Sequence, residues 1–124
     1  MLTNLAVINA RSLAPKIASL TEYFEEKDLS FAIISESWLV EGHILEEVKN
    51  ELKHGFGLEL IYTNRRPKNG RNTGGGICIV YRPRSIVLKK LTFARDGCEV
   101  IAGKGKLKQD GRTIVVIGVH IPPT

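Results

Sequence analysis

The sequence has few cysteines and no long hydrophobic run. Its 124 residues include two cysteines, Cys78 and Cys98. Cysteines this far apart indicate neither a CxxC zinc site nor a disulfide framework, so a reduced, intracellular protein is expected. The longest apolar runs are too short to cross a bilayer as a helix, which predicts no membrane partner. The N-terminus lacks the basic region of a signal peptide.

Several catalytic motifs are also missing. The glycine-rich segment Gly70–Gly76 is not followed by Gly-Lys-Ser/Thr at P-loop spacing. The three histidines, His43, His54 and His120, have neither zinc-site spacing nor an HExxH motif. No GxGxxG joins a strand to a helix, and no GxSxG is present. These absences exclude P-loop NTPases, Rossmann dehydrogenases, zincins and α/β-hydrolases.

The composition is that of an ordinary globular protein. Hydrophobic residues make up 43% and charged residues 25% of the chain, which is the usual balance for a folded domain. The length fits one domain or part of one. The net charge of +5 favours a polyanionic partner such as nucleic acid without deciding the matter.

Apolar runs alternate with amphipathic segments in the N-terminal half. Strands are predicted at Leu5–Ile8 and Phe31–Ile34, and their continuous apolar character predicts that both faces are covered. Between them, Ser12 is the predicted N-cap of a helix over about residues 13–26. A strand, helix and strand in this order predict a crossover unit. A weaker second helix is indicated by Ile44, Leu45, Val48 and Leu52.

The C-terminal half is predicted to be mostly β-structure. Strands are expected at 58–62, 77–81, 86–91, 99–102 and 113–119, with a hairpin turn at 109–112 before the last. Cys78 is interpreted as a small buried hydrophobe. Residues 65–73 form a predicted basic surface loop. The chain ends just after an apolar strand, so residues 1–124 are expected to be a fragment of one domain.

Three polar residues stand just past the ends of apolar strands: Asn9, Glu36 and His120. Because ligands bind beyond the carboxyl ends of strands in α/β sheets, these side chains could converge on one site. Each has a simpler interpretation. Asn9 would be a turn residue, Glu36 a solvated or capping side chain, and His120 a partly buried histidine. Trp38 could stack on a base, but packing beneath the strand end is the favoured interpretation.

Four segments together carry a family resemblance. They are Asn9-Ala-Arg-Ser-Leu with Lys16 downstream, Phe31-Ala-Ile-Ile-Ser-Glu-Ser-Trp-Leu39, Gly74-Gly-Gly-Ile-Cys-Ile-Val-Tyr-Arg82 and Val119-His-Ile-Pro-Pro123. In this order they resemble the endonuclease domain of non-LTR (LINE-type) retrotransposons. That domain belongs to the endonuclease/exonuclease/phosphatase superfamily, with apurinic/apyrimidinic endonucleases and DNase I as relatives. The resemblance covers nearly all of this chain and about the N-terminal half of the family domain.

The resemblance implies an α/β fold, a four-layered α/β sandwich of the DNase I-like type, here incomplete. It also implies hydrolysis of DNA phosphodiesters assisted by Mg²⁺ or Mn²⁺. By matching motifs, Glu36 would be the metal ligand and Asn9 a neutral active-site amide. His120 stands where the family commonly has a tyrosine, and an imidazole can also donate a hydrogen bond to phosphate.

Seven basic residues are predicted to contact a DNA backbone: Arg11, Lys16, Arg65, Arg66, Lys68, Arg71 and Arg82. A solvated basic loop at 65–71 is the alternative interpretation.

The family's remaining catalytic elements would lie beyond Thr124, so this chain alone is expected to be inactive. A full-length protein is expected to carry a reverse transcriptase domain in the same chain and, if functional, to be nuclear. Two other functions stay open: a non-catalytic relic or DNA-binding module, and a phosphodiesterase or phosphatase of the same superfamily acting on a lipid or small phosphoester.

Overall fold

The computed structural model describes residues 3–40, 42–63, 75–91 and 99–121. These ranges contain two α-helices, α1 (Ile17–Lys27) and α2 (His43–Asn50), with a 3₁₀ turn at Ala14–Lys16 and a π-helical turn at Glu51–Gly55. The strands are β1 (Leu5–Asn9), β2 (Phe31–Ser35), β3 (Glu59–Tyr62), β4 (Ile77–Tyr81), β5 (Ile86–Leu91), β6 (Glu99–Leu107) and β7 (Thr113–His120). None of the described helices is long and apolar enough to cross a membrane.

The strands form two sheets. The first has the order β1-β2-β4-β3, and the second has the order β5-β6-β7. β1 and β2 are parallel, with Leu5 opposite Phe31, whereas every other pairing is antiparallel. Since α1 lies between β1 and β2 in the chain, the predicted crossover unit is confirmed. The hairpin turn predicted at 109–112 also joins β6 to β7.

Alternating side chains of the first sheet supply two separate cores. Ala32, Ile34 and Cys78 face the helices and pack in one cluster with Phe24 and Leu45. The alternate residues of the same strands face the second sheet and pack with its inner side chains, in a cluster that includes Phe31, Ile77, Ile79, Ile101 and Val116. The period of two along a strand produces this division. The described residues therefore form three layers, one of helices and two of stacked sheets, of the predicted four-layered α/β sandwich.

Two predictions about the first crossover unit are wrong. Leu5 and Val7 of β1 are 54% and 73% exposed and are not part of the core between the sheets, so within the described residues only one face of β1 is covered. Ser12 does not cap the first helix through its side chain. Its backbone is left-handed, with φ 81°, and the chain enters α1 through the 3₁₀ turn that contains Pro15.

β6 extends five residues beyond the predicted end at Ala102. Gly103 and Gly105 interrupt the apolar pattern, which is why the sequence indicated a shorter strand. A Cβ at Gly105 would lie 1.9 Å from the carbonyl oxygen of Val87, and one at Gly103 would lie 2.9 Å from Cδ1 of Ile61. The glycines therefore permit a close approach to β5 and β3 that larger residues would prevent.

The interpretation of Cys78 as a buried hydrophobe is confirmed. Its side chain has no exposed area, and burial raises the pKa of its thiol to about 12. Because the thiolate is the reactive form, Cys78 is chemically inert in the folded chain. Cys98 and the predicted basic loop at 65–73 lie outside the described residues.

Replacement of Gly118 by alanine should destabilise the chain because Gly118 lies where the two sheets meet. An added Cβ would be 2.6 Å from Cγ2 of Ile33 and 3.0 Å from Cγ2 of Ile101. We expect Gly118→Ala to lower the free energy of unfolding by about 1–3 kcal/mol, as overpacked cores do. Urea denaturation measures the change. Gly55→Ala is the control, since a Cβ there meets nothing within 4 Å. Equal stability of both variants would contradict the close packing of the sheets.

Candidate functional site

The loop after β2 adopts a backbone conformation that is unusual for its residues. Glu36 and Trp38 have φ values of 53° and 60°, in the left-handed region that side chains with a Cβ rarely occupy. The loop that follows β1 holds one side of it: the Ser12 amide donates to the Glu36 carbonyl at 2.8 Å, and the Leu13 amide donates to the Ser37 carbonyl at 2.9 Å. Such backbone strain persists only where surrounding contacts impose it, and it is frequent at functional sites.

Two glycines before β4 hold the other side of this loop. The Ser37 amide donates to the Gly76 carbonyl at 3.1 Å, and the Trp38 amide donates to the Gly75 carbonyl at 2.9 Å. Gly75 and Gly76 have φ values of 71° and 91°, which glycine adopts without steric cost. Residues 36–38 are thus fixed between the segments that leave β1 and enter β4.

The Glu36 carboxylate is oriented by two N–H donors. Its Oε2 accepts hydrogen bonds from the Trp38 indole at 3.0 Å and from the Gly75 amide at 2.9 Å. Hydrogen bonds to an ionised acceptor are among the strong ones in proteins. Trp38 therefore has a role that neither sequence-based interpretation included: its indole positions Glu36.

A histidine and a second carboxylate lie beside Glu36. Nδ1 of His120 is 3.1 Å from Oε1 of Glu99, and Nε2 of the same ring is 3.9 Å from Oε1 of Glu36. The amide of Gly76 donates to Oε2 of Glu99 at 2.6 Å. The three side chains are between 16% and 23% exposed, so they are largely buried yet accessible to a ligand. The adjacent glycines thus orient one carboxylate each.

Asn9 lies at the same end of the first sheet but is not joined to this cluster. It pairs in register with Ser35, the residue before Glu36, and its side chain is exposed. No hydrogen bond connects that side chain to another part of the described chain. The predicted convergence is therefore seen for Glu36 and His120, whereas Asn9 is only a neighbour in the sheet.

Six of the seven predicted DNA contacts are either exposed or outside the described residues. Arg11 is exposed beside the site. Lys16 is also exposed, and its ammonium group donates to the carbonyls of Ala10 and Arg11, which stabilises the loop after β1. Arg65, Arg66, Lys68 and Arg71 lie outside the described residues.

Arg82 is a buried contact of the fold, so its prediction as a DNA ligand is corrected. It is 8% exposed, and its Nη2 lies 3.4 Å from the Phe24 carbonyl and 3.5 Å from Oε1 of Glu25. Phe24 and Glu25 belong to the last turn of α1, where a cation interacts favourably with the negative end of the helix dipole. The guanidinium therefore ties β4 to the end of α1.

The donor set fits an oxygen-preferring cation that keeps some of its own water. In the described ranges, no three or more His, Cys, Asp and Glu side chains are grouped to enclose a metal ion. Mg²⁺ is usually held by one or two carboxylates together with water and substrate phosphate. Glu36 and Glu99 are oriented by backbone amides before any ligand arrives, which is suitable for such a shared site.

The fold is shared with known enzymes, although no protein-family model and no curated protein matches the chain. The catalytic domain of human Nocturnin, solved with bound sulfate, has a TM-score of 0.63 at 10% identity, covering 90% of this chain and 44% of the Nocturnin chain. The 3′ phosphatase NExo from Neisseria, solved with a product DNA hairpin, has a TM-score of 0.62 at 14% identity, covering 92% and 40%. The predicted DNase I-like fold class is confirmed, and this chain spans less than half of either neighbour.

Sequence reasoning missed Glu99. It stands at the first position of its strand, and only the register of β6 with β7 places it opposite His120. An acidic residue directly before the apolar run Val100–Ala102 is the one local signal, and it marks the start of a strand, whereas Asn9, Glu36 and His120 were identified at strand ends.

The contact between Trp38 and Glu36 should be measurable as a coupling free energy. Trp38→Phe removes the indole N–H, and Glu36→Gln removes the charge that it stabilises. A double-mutant cycle by urea denaturation isolates the pair. We expect a coupling of about 1 kcal/mol, less than the 1.5–3 kcal/mol of a buried hydrogen bond to a charged group because Glu36 is partly exposed. Additive effects of the two substitutions would show that the indole does not position the carboxylate.

Proposed function

We propose that this chain is part of a divalent-metal-dependent DNA endonuclease of the retrotransposon type, in the endonuclease/exonuclease/phosphatase superfamily. The observation that carries the proposal is the Glu36 carboxylate, fixed at the carboxyl ends of two parallel strands and facing a His120–Glu99 pair. Anionic and metal ligands bind at this end of α/β sheets. The fold that this chain shares with the Nocturnin catalytic domain and the 3′ phosphatase NExo supports the assignment.

Glu36 would hold Mg²⁺ or Mn²⁺ in this proposal. The bound ion would neutralise the charge that develops on the scissile phosphate and on the leaving oxygen. Oε2 of Glu36 is fixed by Trp38 and Gly75, so the carboxylate keeps one orientation when substrate enters. Asn9, at the end of the neighbouring strand, supplies an amide that can hydrogen-bond to the same phosphate.

His120 is oriented to exchange a proton with substrate. Glu99 accepts from Nδ1 in the tautomer that carries the proton there, which directs Nε2 toward the Glu36 side of the site. In this proposal Nε2 would donate a hydrogen bond to a phosphate oxygen while Nδ1 keeps its contact with Glu99. His120, held by Glu99, would thus supply the hydrogen-bond donor that a tyrosine commonly supplies at this position in the resembled family.

DNA is the proposed substrate. NExo was solved with a product DNA hairpin, and the exposed Arg11 lies beside the Glu36 loop. The basic residues at 65, 66, 68 and 71 would add contacts to the phosphate backbone. In the retrotransposon setting, the whole protein would act in the nucleus and carry a reverse transcriptase domain in the same chain.

Metal binding should depend on Glu36. We expect Mn²⁺ to bind weakly to the 124-residue chain. A site with only one or two carboxylates holds such an ion weakly when substrate phosphate is absent. Glu36→Gln should abolish the paramagnetic enhancement of water relaxation, and Trp38→Phe should weaken binding about tenfold, as loss of a supporting hydrogen bond does at metal sites. Glu51→Gln is the control, because that residue is exposed in the π-helical turn. Equal enhancement in Glu36→Gln and the control would remove Glu36 from the metal site.

The reaction itself should be tested on the full-length protein that contains this chain. A panel in Mg²⁺ compares nicking of supercoiled plasmid with hydrolysis of a phosphoinositide and a sphingomyelin. We expect nicking that Glu36→Gln abolishes. His120→Ala should reduce nicking by about 10²–10⁴-fold, the usual contribution of an acid–base group. Preferred lipid hydrolysis would replace DNA as the substrate, and metal binding without any hydrolysis would identify a non-catalytic relic or binding module.

A further inference from the structure

The charges of this chain are divided between its two halves. Residues 1–63 carry five Lys and Arg against ten Asp and Glu, whereas residues 64–124 carry 13 against three. Among the described elements, α1 and α2 carry five glutamates against two lysines, whereas the strands of the second sheet carry four lysines against one glutamate. The net charge of +5 is therefore unevenly distributed, and the second sheet is the part that attracts anions.

Three lysines share the outer face of the second sheet. Lys89 of β5 and Lys104 and Lys106 of β6 are exposed, and they alternate with residues that face the other sheet, such as Leu88 and Gly103. Lys89 is directly opposite Lys104 in the register of the two strands. The Cβ atoms of such a pair are about 4.5–5.5 Å apart, and Lys104 and Lys106 are about 7 Å apart along the strand. We call these residues the lysine cluster.

The lysine cluster is not explained by stability or by protection of an edge. Like charges directly opposite each other destabilise a sheet, and no carboxylate within the described ranges forms an ion pair with any of the three. Lysines on edge strands prevent unwanted strand pairing. Lys104 and Lys106, however, lie on β6, the central strand of its sheet. Two of the three ammonium groups therefore lie on the central strand and the third lies beside them on β5, where all three are available to an anion supplied from outside.

We propose that the lysine cluster binds the phosphate backbone of a nucleic acid, at a surface separate from the Glu36 site. Lys104 is five residues from Glu99 along β6, which is about 17 Å. It also projects from the opposite face of the strand, because Glu99 shares the parity of the inward-facing Ile101 and Gly103. The two surfaces therefore cannot contact the same phosphate group.

A nucleic acid fits this cluster better than an anionic membrane does. Each nucleic acid strand presents a phosphate charge every 3.4 Å along a duplex, so three closely spaced cations can neutralise several phosphates at once. Membrane-binding surfaces combine lysines with Trp, Phe or Leu side chains that enter the interface. The exposed apolar side chains on this face of the sheet are Val87, Leu91, Val115, Ile117 and Val119. They include no Trp or Phe, the side chains that anchor a protein most firmly at a membrane interface.

The test is the salt dependence of binding to a labelled oligonucleotide, followed by fluorescence anisotropy with the 124-residue chain. The variant carries Lys89→Gln, Lys104→Gln and Lys106→Gln together. Each lost phosphate contact reduces the slope of log K against log salt by about 0.9 for duplex and about 0.7 for single strands. We therefore expect a slope lower by about two to three units. The control carries Lys27→Gln, Lys49→Gln and Lys53→Gln, which remove the same charge from the acidic half.

Three outcomes would overturn the proposal. They are an unchanged slope in the cluster variant, an equal change in cluster and control variants, and a cluster variant that loses binding to phosphatidylserine vesicles while keeping its affinity for oligonucleotide. Misfolding is excluded separately: removal of the Lys89–Lys104 repulsion should leave the urea midpoint of the cluster variant unchanged or higher. The proposed nuclease function is measured separately, by Mn²⁺ binding and by nicking, so its failure would be distinguishable from failure of this proposal.

Discussion

The candidate site depends on the backbone clamp around residues 36–38. The amides and carbonyls of this loop are hydrogen-bonded on one side to the segment that leaves β1 and on the other to Gly75 and Gly76 before β4. Left-handed backbone at Glu36 and Trp38 costs of order 1–3 kcal/mol per residue, so it requires these partners. The same clamp turns the Glu36 carboxylate toward His120. Strain in the loop and orientation of the carboxylate are therefore consequences of one hydrogen-bond arrangement.

The two glycines connect the sheets as well as the loop. The Gly75 amide donates to Glu36 and the Gly76 amide donates to Glu99, so consecutive residues of one chain segment orient a carboxylate from each sheet. Such adjacent amides behave as a small anion-binding element. Because Glu99 contacts Nδ1 of His120, the Gly76 amide also helps to orient the histidine ring. A change in how the two sheets stack would therefore separate the acidic and basic groups of the site, which links the packing at Gly118 to function.

Much of the fold could be predicted from the sequence because its elements follow local patterns. Short apolar runs bounded by polar or turn residues identified every described strand, and helical spacing identified α1 and α2. The failures have non-local causes. One face of β1 is exposed because the described part of the second sheet does not cover it. β6 is longer because Gly103 and Gly105 allow close strand approach, and Arg82 is buried because its guanidinium contacts the end of α1. Glu36 and His120 could be identified as strand-end residues, but Glu99 and the role of the Trp38 indole required the register between strands and the three-dimensional path of the loop.

The outer face of the second sheet combines two surfaces of different chemistry. The lysine cluster occupies the part near the β6–β7 turn, whereas Val115, Ile117 and Val119 of β7 are each more than half exposed and continue toward the site end. An exposed apolar stripe on an edge strand favours association, but repulsion between cations opposes the approach of a second copy over the lysine cluster. A nucleic acid bound there would neutralise that repulsion, so association through β7 should become easier when the lysine cluster is occupied than when it is empty.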